Sequence, residues 1–263
     1  MIDPAGRKRV GIALGGGVAR GLTHIGVLAT LEEEDIPIDC VAGTSMGALV
    51  GAAYCAGLEV AQLLDIAAET GWLKIVTPAW PHQGLISFRK MESWLKDQLG
   101  EVDIRDLAIP FAAMATDIET GKAVMLSEGP LARAVRASCS VPGLVEPVAM
   151  NGLLLCDGGV SDNVPNDAAR ALGADFVIGV DVFAPAYRSY LGPFGVTLAA
   201  LEVLVENAGG GSQRADCTIV PDLVGQSYVR LSKYAAFIEA GRQATRDMLP
   251  TIRAALAEPS KSL

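Results

Sequence analysis

Gly43-Thr44-Ser45-Met46-Gly47 fits the pattern G-x-S-x-G and lies between a short apolar strand signal at 40–42 and a small-residue helical run at 45–56. In that setting the five residues form a sharp strand-to-helix turn that lifts the serine hydroxyl above the edge of a sheet. Ser45 is therefore a candidate nucleophile; the alternative is an ordinary glycine-rich turn. A second glycine cluster, residues 15–21 (GGGVARG), follows the first apolar strand signal and opens a helix. Consecutive glycines let backbone N–H groups converge on an anion, and the helix N-terminus adds positive potential. Such a loop can cradle a phosphate or hold an oxyanion. No Gly-Lys-Ser/Thr follows it, and Arg20 occupies the last glycine position of the dinucleotide fingerprint counted from Gly15. The oxyanion reading gains from Ser45 at the end of the next strand, because in a parallel sheet both turns open on the carboxyl edge, where ligands bind.

A serine nucleophile needs a base. The chain has two histidines, His24 and His82, and none after His82. His24 lies about one turn into the first helix, where it would point away from the strand edge or into packing, and His82 lies in a segment rich in proline and tryptophan. The remaining candidates are aspartates that follow strands: Asp117, Asp157 and Asp181. Asp157 is followed by Gly158-Gly159, which would leave its carboxylate open to a neighbour. Residue chemistry alone does not separate it cleanly from Asp181.

Taken in order, residues 15–21 (GGGVARG), 43–47 (GTSMG) and 157–159 (DGG) resemble the patatin-like phospholipase family, most closely its short bacterial members. The segments 23–28, 116–121 and 138–143 resemble the family as well, and the likeness runs from about Val10 to Asp181. The resemblance implies a three-layer α/β/α fold with a mostly parallel central sheet. It also implies a Ser–Asp dyad without histidine, with Ser45 as nucleophile and Asp157 as general base. Gly15, Gly16 and Gly17 would supply the oxyanion hole, with Met46 donating a further backbone N–H. Arg20 would support the loop or meet an anionic headgroup. The implied activity is hydrolysis of lipid acyl esters through an acyl-serine intermediate, with no metal and no cofactor. The competing reading is a regulatory or adaptor protein that keeps the fold to bind a partner; intact Ser45 and Asp157 argue against it.

The elements that must position these residues follow from apolar periodicity. Strands are expected at 8–14, 40–42, 110–117, 123–126, 175–182 and 218–221, and helices at 20–34, 45–56, 60–69, 89–99, 131–138, 164–172, 197–207 and 229–249. Segments 146–149 and 153–156 flank Asn151-Gly152, a hairpin signal. Strands alternating with helices in one compact length predict a single α/β domain over residues 1–263, with a largely parallel sheet and helices on both faces.

Composition narrows the partners. Of 263 residues, 51% are hydrophobic and 19% charged, and the net charge is −9. A disordered chain is excluded, and a nucleic-acid binder, which needs a basic stripe, is disfavoured. The five cysteines form no C-x-x-C and read as buried thiols of a cytoplasmic protein. No uninterrupted apolar run reaches the length of a membrane span. Segments 71–94 and 183–195 hold 8 of the 14 aromatic residues and are the candidates for an acyl-binding surface. Any membrane contact is expected to be peripheral and apolar, through Trp72 and Trp80; the alternative is that these rings cover the sheet.

Overall fold

The computed structural model describes residues 7–69, 71–79, 83–183, 192–224, 226 and 231–258. β1 (Val10–Leu14) and β2 (Cys40–Thr44) are buried along their whole length, as strands covered on both faces must be. The expected helix at 20–34 is a 3-10 turn, Val18–Leu22, running into α1 (Thr23–Glu33). One residue, Ser45, separates β2 from α2 (Met46–Cys55). After α3 (Val60–Glu69), the stretch in which no regular structure was expected carries α4 (Trp72–Ile75) and the paired strands β3 (Thr77–Pro78) and β4 (Ile86–Ser87). Then follow α5 (Arg89–Leu99), β5 (Phe111–Asp117), β6 (Ala123–Leu126), α6 (Leu131–Ser138), β7 (Val148–Met150) and β8 (Leu153–Asp157). The turn between β7 and β8 has Asn151 and Gly152 at φ 53° and 79°, the two left-handed residues a type I′ hairpin requires. The chain continues through α7 (Asn166–Ala171), β9 (Phe176–Val180), α8 (Gly192–Glu206), β10 (Cys217–Ile219) and α9 (Tyr234–Ala257). The last helix runs past Pro250, where the sequence pattern predicted its end; buried Leu249 and Ile252 keep its final turns on the core.

The eight-stranded sheet has the order β10-β9-β1-β2-β5-β8-β7, with β6 also on β5. β10, β9, β1, β2 and β5 are mutually parallel; β6 and β8 run antiparallel to β5, and β7 antiparallel to β8. Side chains alternate between two cores, as the period of a strand demands. Ile12, Val41, Phe111 and Ile178 face the larger core, covered by α1, α2, α6 and α9. Ala13, Ala42, Met114 and Val177 face a smaller one with α7. The fold is thus a mostly parallel sheet with helices on both sides.

Register sets the site. β2 pairs with β5 so that Thr44 lies opposite Met114, and β8 pairs with β5 so that Asp157 lies opposite Ala115. Ser45, one residue beyond Thr44, is thereby brought level with Asp157 across β5.

Candidate active site

Ser45 has φ 54° and ψ −121°, a region that costs a non-glycine residue about 1–3 kcal/mol. The surroundings enforce it. Its backbone N–H donates to Ser138 Oγ at 2.8 Å; Thr44 Oγ1 donates to the Asp162 carbonyl at 3.0 Å; the α2 helix begins at once. Both flanking glycines are required by close approach: a Cβ on Gly47 would lie 2.2 Å from Leu14 O, and one on Gly43 would lie 2.5 Å from Gly47 O.

Ser45 Oγ donates to Asp157 Oδ2 at 2.7 Å. The other carboxylate oxygen accepts the Gly159 N–H at 2.8 Å, and the Asp157 main chain is tied to Ser140 and Thr116. Asp117 instead accepts from Thr120 and Glu119 in the turn after β5, and Asp181 accepts the Phe183 N–H. Asp157 is buried, and desolvation pushes its carboxyl up to about 6 against the opposing effect of the Ser45 and Gly159 hydrogen bonds. Cys139 borders the same pair; burial and the Asp157 charge push its thiol well up, so it stays protonated and is no nucleophile.

The glycine loop is more occupied than the sequence suggested. Gly15 N–H donates to Val180 O at 3.0 Å, and Gly16 N–H donates to Asn163 through its carbonyl at 3.3 Å and its Oδ1 at 3.1 Å. Among the described residues, the N–H groups of Gly17 and Met46 have no hydrogen-bond partner. Both residues line the cavity that holds Ser45 and Asp157. Arg20 is fully buried and donates through Nε and Nη2 to the Gln226 carbonyl, which ties the loop to the segment after β10. His24 is fully buried with Nε2 2.7 Å from Gly15 O; His82 lies outside the described residues. Asn163 and Ser138 were missed in the sequence. Asn163 follows the Asp157 turn closely, but nothing local marks it as a partner of Gly16, 147 residues away.

The cavity has a volume of about 470 Å³, within the range of small-molecule sites. Its walls are apolar: Ile75, Val76, Ile86, Phe88 and Met91 from the 71–94 segment, Val141, Leu144 and Val145 after α6, and Leu201 and Val205 from α8. Of the aromatic candidates, Phe88 and Phe183 reach it, whereas Trp94 is half-buried against the larger core; Trp80, Tyr187 and Tyr190, and the side chains of Trp72 and Phe194, lie outside the described residues. Among the described residues no group of His, Cys, Asp and Glu side chains is placed to hold a metal, and no helix is long and apolar enough to cross a membrane.

A mostly parallel sheet with helices on both sides matches the fold that the family resemblance implies. The family model described as Patatin-like phospholipase matches residues 12–170, and the chain belongs to that family. It is 39% identical over 176 residues to an uncharacterized NTE family protein of Mycobacterium tuberculosis, a match covering 66% of this chain and 49% of the relative. It is 38% identical over 181 residues to the neuropathy target esterase sws of Drosophila melanogaster, and 34% identical over 181 residues to lysophospholipase nte1 of Aspergillus fumigatus. Those matches cover 66% of this chain but 13% and 12% of the relatives; the chain spans half or less of the length of the curated relatives it matches. Among solved structures, VipD from Legionella pneumophila shares the fold, with a TM-score of 0.65 and 14% identity over 95% of this chain and 69% of that one.

Proposed function

We propose that this chain is a lipid acyl hydrolase that cleaves carboxylic esters through an acyl-serine intermediate. The observation that carries the reading is the 2.7 Å Ser45–Asp157 hydrogen bond on the wall of an apolar cavity of about 470 Å³. Asp157 takes the Ser45 proton as Oγ attacks the ester carbonyl carbon. The oxyanion that forms is held by the N–H groups of Gly17 and Met46, the two donors left open among the four residues expected to supply the hole. Aimed at charge that develops only in the transition state, such donors stabilise it at no reorganisation cost. The intermediate collapses, Asp157 returns its proton to the departing alkoxide, and the alcohol leaves. Water then attacks the acyl-serine with Asp157 again as base, releasing the fatty acid and restoring Ser45. The family membership and the relatives named as a lysophospholipase and an esterase support a lipid ester as substrate. A fluorophosphonate probe is expected to label the protein on Ser45 and to leave Ser45→Ala unlabelled. An unlabelled wild type would favour a fold kept only for partner binding.

The base must be ionised to accept a proton, so kcat/KM is expected to fall about tenfold per pH unit below pH 6 and to level off above it. Ionising a neutral carboxylic acid creates charge, whereas deprotonating an imidazolium conserves it. The apparent pKa of this limb should therefore rise when organic co-solvent lowers the dielectric constant; a limb that does not move rules out Asp157 as its source. Asp162, pushed up to about 7 by burial and by Asp167, titrates in the same range, so Asp162→Asn is the control and should leave the limb in place.

Contact with a lipid surface is part of the same proposal. On α8, Leu201 and Val205 line the cavity while Val196, Val203 and Leu204 are 52%, 43% and 63% exposed. With no Lys or Arg between residues 192 and 206 and a net charge of −9, attachment would be apolar rather than electrostatic. Co-sedimentation with phosphatidylcholine vesicles is expected to survive high salt and to weaken in Val203→Ser/Leu204→Ser; binding that vanishes in salt would count against it.

A further inference from the structure

We propose that His24 is a positioning residue for the oxyanion loop: its Nε2–H clamps the Gly15 carbonyl and so holds the adjoining peptide in the orientation that leaves the Gly17 N–H open to the cavity. The inference rests on the reading of Ser45 as nucleophile and names a residue that the dyad chemistry does not use.

The peptide unit joining Gly15 to Gly16 is planar and trans, so its C=O and N–H point in opposite directions. It is held at both ends. Gly16 N–H donates to Asn163 Oδ1 at 3.1 Å, and Gly15 O accepts from His24 Nε2 at 2.7 Å. The unit before it is held by the Gly15 N–H on Val180 O at 3.0 Å. Two glycines flank this unit, and glycine adopts left- and right-handed conformations with nearly equal ease. A Gly-Gly peptide without clamps is free to rotate, and a rotated unit would re-aim the Gly17 N–H that follows. The Gly15 carbonyl also lies over the start of α2, where a Cβ on Gly47 would stand 2.7 Å from it. His24 therefore acts at the junction of the oxyanion loop and the nucleophile elbow.

The chemistry of the ring agrees. Gly15 O can only accept, so Nε2 carries the proton and Nδ1 is left bare. Nδ1 is buried with no hydrogen-bond partner among the described residues. A buried unsatisfied nitrogen is a standing cost that an apolar side chain of similar size would avoid; the bond to Gly15 is what the imidazole supplies in return. Burial pushes the ring down to about 4, so it is neutral at the pH where an ionised Asp157 works, and it places no cation beside the developing oxyanion.

The test compares His24→Leu, which fills the space without a donor, with His24→Gln, whose amide reaches the place of Nε2. Each is measured for hydrolysis of 4-nitrophenyl butyrate, for the second-order rate of fluorophosphonate labelling, and for Tm. His24→Leu is expected to lower kcat and the labelling rate about tenfold with KM within about twofold of wild type, less than the 10²–10³ that deleting an oxyanion donor costs. His24→Gln should recover most of both rates. A His24→Leu enzyme with wild-type kcat, a rise in KM alone, or a His24→Gln no faster than His24→Leu at equal Tm would overturn the proposal. If His24→Leu does not fold, His24→Gln against His24→Asn decides, since asparagine carries the same amide one methylene short of the carbonyl: equal activity overturns the clamp. Ser45→Ala, run alongside, separates the two ideas. Full activity there strikes the dyad itself, whereas an inactive Ser45→Ala with an unimpaired His24→Leu removes only the role of His24.

Discussion

Ser45→Ala and Asp157→Asn are each expected to lower kcat/KM for an acyl ester by about 10⁴-fold or more, and the double variant to be scarcely slower than either, because groups that act as one unit are not additive. Near-full activity in Asp157→Asn would dismiss the dyad and turn attention to Asp181. The two losses should differ in their effect on the fold. Asp157 has its carboxyl raised to about 6, above the ordinary unfolded value of about 3.9. The fold therefore favours the protonated form. The stability Asp157 contributes is fully present below about pH 4 and is lost as pH rises through 6, leaving the ionised carboxylate at a cost of about 3 kcal/mol at pH 8. An asparagine fits the same bonds: its oxygen accepts the Gly159 N–H and its amide donates to Ser45 Oγ. Asp157→Asn should be inactive yet melt about 5 °C or more higher at pH 8, with the advantage vanishing near pH 4. Denaturation curves at both pH values check this; a pH-independent difference would show that the charge is not its cause.

The second large effect is expected at Gly47. A Cβ there would meet backbone oxygen at 2.2 Å and 2.7 Å, both at the end of β1 and the start of the glycine loop. Neither atom is the far end of a flexible side chain, so relief requires α2 to move off the sheet. Gly47→Ala should cost more than the about 1–3 kcal/mol of ordinary overpacking. It should also shift the loop relative to Ser45, abolishing fluorophosphonate labelling in whatever protein remains folded. Gly71, where an added methyl group would meet nothing within 4 Å, is the control: Gly71→Ala should label at the wild-type rate. Equal behaviour of the two variants would mean that the elbow tolerates the displacement.

Much of the scaffold was legible in the residues. The strand signals at 8–14, 110–117 and 123–126 fall on β1, β5 and β6, and the helical period at 60–69 and 89–99 falls on α3 and α5. Such elements declare themselves because side-chain period, glycine and turn chemistry act over a few neighbouring residues. The stretch around 72–87 did not, since α4, β3 and β4 are too short to display a period. The 197–207 helix signal fell short by five residues at its start, because Gly192 and Pro193 read as loop and yet begin α8.

The elbow at Ser45 is written along the chain itself, because the two glycines and the strand-to-helix change that create it are contiguous. The absence of any histidine after His82 likewise leaves the aspartates as candidates for the base that the proposed chemistry needs. The choice among aspartates comes from strand pairing. Asp157 rather than Asp181 meets Ser45 because β8 pairs antiparallel with β5 in a register that sets Asp157 opposite Ala115, and register is a property of pairing between strands that no single strand encodes. Likewise, three consecutive glycines look equivalent along the chain. They differ only once Val180 and Asn163, brought in from beyond residue 160, take up the N–H groups of the first two and leave the third without a partner among the described residues.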